Sequence, residues 1–241
     1  GDVYKRQVRM TAAGICGSDV GIYHGTNAAA TYPRIIGHEM VGVVENTFSS
    51  VTSLRPGDRV IVNQVTSCGH CYPCRIGRGN VCDSLAVRGV HIDGGYQEYM
   101  AVPQEDCYPL PDSISDTDAV MIEPATIAIQ SCTRAELKRD DMLLIFGCGA
   151  LGSSILKIAR LLCDYIIVAD VVDEKLEGAK SAGAAHTINV LKEDLEEKVR
   201  EYTHGHGATV SIDAVCGSDS LIRLLKATGN AGRVITMGFS T

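Results

Sequence analysis

No apolar run in the 241-residue sequence is long enough to cross a bilayer as a helix, so no membrane partner is expected. Lysines and arginines form no cluster, and 22 of them stand against 29 acidic residues for a formal net charge of −7. A nucleic-acid binder needs a basic face to neutralise phosphates, so that partner is not expected either. A secretory signal pattern, internal repeats and low-complexity tracts are likewise missing. The remaining composition, 45% hydrophobic, is that of a globular protein with enough chain for one large domain or two ordinary ones.

Cysteine stands out from this plain background, with ten residues. Cys68, Cys71, Cys74 and Cys82 lie in CGHCYPCRIGRGNVC at the spacing Cys-x2-Cys-x2-Cys-x7-Cys. Gly69, Pro73, Gly77 and Gly79 mark the stretch as a loop, and core cysteines do not gather at ligand spacing in a loop. Four thiolates complete a tetrahedral zinc site and leave no position for substrate, so the centre reads as structural and any chemistry must lie elsewhere. His70 could compete as a ligand, but the sulfur set is complete without it. A thiolate–zinc site suits a reducing cytoplasm better than a disulfide scaffold. Cys107, Cys132, Cys148, Cys163 and Cys216 sit in mostly apolar segments and read as small buried hydrophobes.

Two kinds of pattern divide the chain. From Val8 to about Met121, short β-like stretches (MVGVVENT, DRVIVNQV, GYQEYMAVP) are punctuated by Gly and Pro, as in a loop-rich β domain. After Pro124, apolar runs at 142–146, 165–170, 186–190, 209–216 and 233–239 alternate with helix-period segments near 150–163, 173–183, 191–203 and 218–228. Strands that are apolar on both faces and separated by helices predict a parallel, doubly wound sheet. The expected domains are 8–125 and 126–241, with a helix-like segment at 125–137 between them. The first seven residues, GDVYKRQ, are similar to a translated sequencing adapter and are set outside the fold, while RVITMGFST stops directly after a β-like segment. The chain therefore reads as a fragment with both domains truncated. Its sheet would have an unprotected edge, so it is expected to fold poorly and to be inactive by itself.

The run MLLIF leads straight into Gly147-Cys148-Gly149-Ala150-Leu151-Gly152, which opens a helix, and Asp170 ends the next strand 18 residues beyond Gly152. In that context GxGxxG is a dinucleotide fingerprint. Gly147 permits the tight turn, Gly149 lets the backbone approach the pyrophosphate and Gly152 allows close helix–strand packing. The helix N-terminus offers free N–H groups to the phosphates. Asp170 can accept from ribose hydroxyls and would repel a 2′-phosphate, which favours NAD; a plain strand-end cap is its alternative role. Cys16-Gly17-Ser18-Asp19, Gly37-His38-Glu39 and Glu123-Pro124 are unremarkable singly. Together, one thiolate, one imidazole and one carboxylate would make a metal site with a position left open.

In their order along the chain, GICGSD, GHE, the four-cysteine lobe, DGGYQEY, MIEP and GCGALG resemble the zinc-dependent medium-chain alcohol dehydrogenases, in the branch with threonine and polyol dehydrogenases. The resemblance spans Val8 to Ser240. TYPRIIGHE, SCGHCYPCRIG, RGVHIDGG and VMIEPATIA look closest to the L-gulonate/L-galactonate 5-dehydrogenase type. It implies an α+β, mostly β, GroES-like catalytic domain and an α/β Rossmann domain, a zinc ion at each of two centres, and NAD. It also implies a homodimer or homotetramer at full length, and hydride transfer to NAD from a secondary alcohol of a polyol or sugar acid. Cys16 and His38 are the implied catalytic zinc ligands, with Glu39 or Glu123 as the third, since both occupy family ligand positions. Asp19 would accept a hydrogen bond from the second ring nitrogen of His38. Ser18 would take the substrate's hydroxyl proton, and Lys175 would reach the adenosine ribose or else lie in solvent. Where relatives commonly carry a relay histidine, five residues after the ligand cysteine, this chain has Gly21. His24 either replaces that histidine or is a surface residue, and His91, His204 and His206 read as surface-loop residues. Threonine 3-dehydrogenase activity, a sorbitol- or galactitol-phosphate-type activity, and a catalytically silent zinc- and NAD-binding sensor stay open as alternatives.

Overall fold

Aliphatic residues alternating with polar ones build the strands nearest the N-terminus. The computed structural model describes residues 5–47 and 54–237 and divides into two units, Gly1–Glu123 and Pro124–Thr241, each taken here by itself. In the first unit the order is β1 (Lys5–Ala13), α1 (Gly17–Tyr23), β2 (Met40–Thr47), β3 (Arg59–Val62), β4 (Val65–Thr66), α2 (Tyr72–Arg75), β5 (Ala86–Val87), β6 (Tyr99–Pro103), β7 (Cys107–Pro109) and α3 (Asp116–Val120). The division falls inside α4 (Ile122–Arg134). Five strands form an antiparallel sheet in the order β6-β1-β2-β3-β7, and β4 pairs with β5 separately. Val8, Met40, Val44, Val60, Met100 and Val102 bury their side chains in one cluster.

Local hydrogen bonds explain where strands stop short of the sequence pattern. DRVIVNQV is a strand only to Val62, because Asn63 turns the chain and its side-chain oxygen accepts from Val65 N–H at 3.2 Å. GYQEYMAVP is a strand only from Tyr99: the N–H groups of Gly94, Gly95 and Tyr96 donate instead to the carbonyls of Ile35, Gly37 and Ile36. Of GDVYKRQ, Gly1–Tyr4 lie outside the described residues, whereas Lys5, Arg6 and Gln7 pair along β6 and Arg6 and Gln7 along β2 as the start of β1.

The second unit alternates strand and helix: β8 (Met142–Phe146), α5 (Ala150–Ala159), β9 (Tyr165–Asp170), α6 (Asp173–Ser181), β10 (His186–Asn189), α7 (Leu195–Tyr202), β11 (Ala208–Asp213), α8 (Ser220–Ala227) and β12 (Thr228–Thr236). All neighbouring strands are parallel, in the order β10-β9-β8-β11-β12. Successive side chains of a strand point to opposite faces. Leu143 and Ile145 thus pack with Ile155, Leu156 and Leu176 of α5 and α6, while Leu144 and Phe146 pack with Leu195, Val199 and Leu224 of α7 and α8. Coverage of both faces is why β8 reads as an unbroken apolar run. β12 starts earlier than its apolar run at 233, with Thr228 opposite Ala208 and Arg233 opposite Val210 across a register shift. No helix among the described residues is long and apolar enough to cross a membrane.

Candidate metal centres and cofactor site

Cys16, His38 and Glu39 come from two loops that close on each other in the first unit. Their ligand atoms all lie within 4.8 Å of one another, with His38 and Glu39 buried and Cys16 half-buried. The backbone brings them there. Cys16 precedes α1, where Asp19 Oδ2 accepts from Cys16 N–H at 3.0 Å and Asp19 Oδ1 accepts from Gly37 N–H at 3.2 Å. Gly37 has φ +98°, and a Cβ there would meet the Tyr96 ring at 2.4 Å, so only glycine turns this chain into His38. The Tyr96 hydroxyl sits 2.7 Å from the Gly14 carbonyl and 3.2 Å from Asp19 Oδ2, and burial pushes its pKa up. The DGGYQEY motif thus braces both loops, through backbone bonds to 35–37 and through Tyr96.

The expected hydrogen bond from His38 to Asp19 is not formed. Asp19 Oδ1 lies 3.3 Å from His38 Nδ1, near enough for charge attraction, but the pair lacks hydrogen-bond alignment. Both Asp19 oxygens already accept from backbone N–H groups, which fix its orientation.

The electrostatics are those of a cluster short of positive charge. Cys16 is lowered below the usual thiol range, chiefly by its hydrogen bond with His38 and also by the Ser18 hydroxyl and N–H. Burial alone would lower His38, but the Cys16 sulfur and the Asp19 carboxylate outweigh it and raise the imidazole to about 9. Burial raises both Glu39 and Glu123. A divalent cation relieves all of these at once, and the donor set of sulfur, nitrogen and oxygen suits zinc. Glu123, in the first turn of α4, is not part of the 4.8 Å set; its Oε1 accepts from Gln64 Nε2 at 2.7 Å.

Sequence reasoning gave no role to Gly14, Tyr96 or Gln64. A Cβ at Gly14 would lie 1.8 Å from Glu39 Oε2, so the missing side chain is what admits the Glu39 carboxylate. Tyr96 carried a signal, since it lies in a motif that resembles the family's, whereas nothing sets Gly14 or Gln64 apart from other loop residues. His24 is exposed at the end of α1 against the edge of Tyr23, and His91, His204 and His206 are exposed.

The second cluster is Cys68, Cys71, Cys74 and Cys82, whose sulfurs also lie within 4.8 Å of one another. Cys71 Sγ is 3.4 Å from Cys74 Sγ and 3.7 Å from Cys82 Sγ. Those distances are far beyond a ~2.05 Å disulfide bond and close to the roughly 3.8 Å between thiolates sharing one zinc ion. Backbone N–H groups aim at the sulfurs: Cys68 N–H donates to Cys82 Sγ at 3.2 Å and Ser84 N–H to the same sulfur at 3.3 Å. Such donors from His70 and Cys71 lower the Cys68 thiol to about 6, while burial and the neighbouring sulfurs push Cys74 up to about 11, so the four crowded thiols need a cation to ionise together. His70 is exposed, with Nδ1 2.9 Å from the Cys68 carbonyl, outside the sulfur set. None of the ten cysteines forms a disulfide; Cys107, Cys132, Cys148 and Cys163 are buried, while Cys216 is only half-buried, with φ +55° in the loop after β11.

The cofactor fingerprint lies at the carboxyl ends of the second unit's strands. Gly147 has φ +96°, and a Cβ at Gly152 would sit 1.9 Å from the Gly147 carbonyl oxygen, so α5 packs directly on the turn. A Cβ at Gly149, which precedes the first turn of α5, would meet nothing within 4 Å. Asp170 is buried: Oδ2 accepts from Cys148 N–H at 2.6 Å, and Oδ1 from Val171 and Val172 N–H at 2.8 and 3.0 Å. It therefore ties the glycine loop to the end of β9. A cavity of about 310 Å³ opens beside it, lined by Gly147, Asp170, Val171, Val190, Val215 and Arg223 among others, mostly apolar as an adenine ring requires. Lys175 is exposed on α6 and borders a separate cavity of about 260 Å³ with Cys148 and Ser153.

Residues 5–112 match the family model of the alcohol dehydrogenase GroES-like domain, and residues 150–241 that of the zinc-binding dehydrogenases. The starvation-sensing protein RspB of Escherichia coli K12 is 44% identical over 237 residues, covering 98% of this chain and 69% of that protein. The crystal structure of RspB from E. coli CFT073, complexed with NADH, matches with a TM-score of 0.92 at 42% identity, over 99% of this chain and 70% of that one. The L-idonate 5-dehydrogenase of Vitis vinifera is 34% identical over 246 residues (98% and 67% covered), and the L-threonine 3-dehydrogenase of Anaeromyxobacter dehalogenans 2CP-C is 32% identical over 240 residues (98% and 69% covered). The chain belongs to the zinc-type alcohol dehydrogenases, NAD-binding oxidoreductases with a GroES-like and a Rossmann-like domain.

Proposed function

We propose that the protein oxidises a secondary alcohol of a polyol or sugar acid, with NAD as hydride acceptor, at an open metal centre held by Cys16, His38 and Glu39. The observation that carries the reading is the convergence of these three buried or half-buried donors on one point, beside a separate and complete four-sulfur site. The sugar-acid class is supported by likeness to an enzyme named for L-idonate. When bound, zinc supplies a Lewis acid that acidifies a coordinated hydroxyl, and NAD supplies the hydride acceptor.

The chain's own residues supply the rest. Cys16 is held toward its thiolate, the form that ligates a metal, by His38 and Ser18. Glu39 adds a negative charge that partly neutralises the ion. Ser18 is the second residue of α1 and hydrogen-bonds the Cys16 sulfur, and its hydroxyl takes the proton from a substrate hydroxyl and returns it to solvent. With Gly21 in the position where a relay histidine is common, that proton leaves Ser18 through water, and exposed His24 has no part in its path.

An NADH-production screen of the full-length protein over sugar acids, polyols and threonine tests the reading. A sugar acid or polyol should give the highest kcat/KM; Ser18→Ala should lower turnover about 100-fold, the low end for a lost proton-transfer group, and His24→Ala should leave it unchanged. Failure of every sugar acid and polyol with both metal centres filled would refute the substrate class, and activity confined to threonine would replace it.

A further inference from the structure

We infer that Gln64 is a positioning residue of the open metal centre: its side-chain amide holds Glu123 outside the Cys16–His38–Glu39 set and so keeps a coordination position available to substrate. The inference rests on the reading of those three residues as ligands.

Gln64 is fixed before its side chain is considered. It follows the Asn63 turn, its carbonyl accepts from Arg88 N–H at 2.8 Å, and buried Arg88 is itself held by the Asn63 carbonyl at 3.2 Å and by Asp106 at 2.7 Å. From this anchored backbone Nε2 reaches Glu123 Oε1 at 2.7 Å, across 59 residues of sequence. Glu123 lies near enough to His38 and Glu39 to feel both charges, yet does not join the donor set. An open zinc centre needs one vacant position, and a second carboxylate this close is the group best placed to fill it. A neutral amide donor restrains that carboxylate without adding charge to a cluster already sensitive to it.

The sign of the effect separates this role from ordinary support. Losing the partner of a ligating group weakens metal binding by roughly 10- to 100-fold. Losing the restraint on a non-ligating carboxylate instead adds a ligand and tightens binding.

The test is a cobalt(II) titration of the metal-stripped protein followed by visible absorption, with His38→Ala loaded identically to subtract the four-sulfur centre. Gln64→Leu, and Gln64→Asn, whose amide is too short to reach, should each bind cobalt about tenfold more tightly, shift the difference spectrum and lose turnover. Gln64→Leu/Glu123→Gln should return the spectrum and affinity to those of the wild type, because the released group no longer carries charge. Spectra and affinities unchanged in both single variants would overturn the inference, and so would weaker binding, which would make Glu123 a ligand. A wild-type spectrum identical to that of His38→Ala would instead remove the three-ligand centre, and the inference with it.

Discussion

Gly149→Ala should leave the melting temperature within about 3 °C of wild type while weakening NADH binding tenfold or more. Gly149 has an ordinary negative φ of −74°, and its added Cβ would meet no protein atom within 4 Å, so the folded state accepts alanine. Replacing glycine where the backbone allows it changes stability by only about 0.4–1 kcal/mol, and in the stabilising direction. The same methyl would project from the turn that has to approach the cofactor pyrophosphate, where 1.4 kcal/mol of lost contact is a factor of ten. Gly152→Ala is the contrast: its Cβ would collide with the Gly147 carbonyl at 1.9 Å, so melting temperature and affinity should fall together. Thermal melts paired with NADH fluorescence titrations separate the two variants. Unaltered affinity in Gly149→Ala would mean that the cofactor does not lie on this loop.

Gly14→Ala should empty the open metal centre without disturbing cofactor binding. The added Cβ would lie 1.8 Å from Glu39 Oε2, 2.9 Å from Glu39 Cδ and 2.8 Å from Val120 Cγ1. Val120 is buried and cannot yield freely, so the Glu39 carboxylate has to move from its place in the donor set. Loss of a correctly placed ligand should lower metal affinity by about 100-fold, the upper end for changes around a metal site, and turnover with it. Metal affinity and NADH binding measured on one preparation check this, with the second expected to match wild type. Full metal content and activity would show that Glu39 is not needed at the ion.

The parts of the fold legible in the sequence are those whose signal is local. MLLIF and YIIVAD are buried on both faces, and such strands cannot avoid reading as apolar runs. The four-cysteine centre was legible for a related reason, since all its ligands sit on one short loop. α1 was not foreseen: its seven residues include two glycines and bury only Asp19 and Ile22, too little for a helical period to show. The early start of β12 was hidden because Thr228-Gly-Asn-Ala has turn composition and joins the sheet through its backbone and the Thr228 hydroxyl, 2.6 Å from that of Ser211, neither of which gives an apolar signal. The open site was half legible. The residue types could be read, but not which carboxylate joins Cys16 and His38 in the 4.8 Å set: the side chain that Gly14 lacks leaves room for Glu39, Glu123 is bonded to an amide 59 residues away, and neither leaves a local trace. For Asp170 the strand-end capping role is the one seen, since its carboxylate accepts from three backbone N–H groups.

The most direct measurement is the zinc content of the purified wild-type protein beside that of His38→Ala and Cys74→Ser. Two distinct centres, one open and one closed, require two zinc ions per wild-type chain. His38→Ala should retain one ion and lose activity at an unchanged melting temperature. Cys74→Ser should also retain at most one, with a melting temperature lowered by the opened lobe. A single zinc ion in the wild type that survives His38→Ala would contradict the account, because the only metal would then lie in the closed site and no open centre would exist.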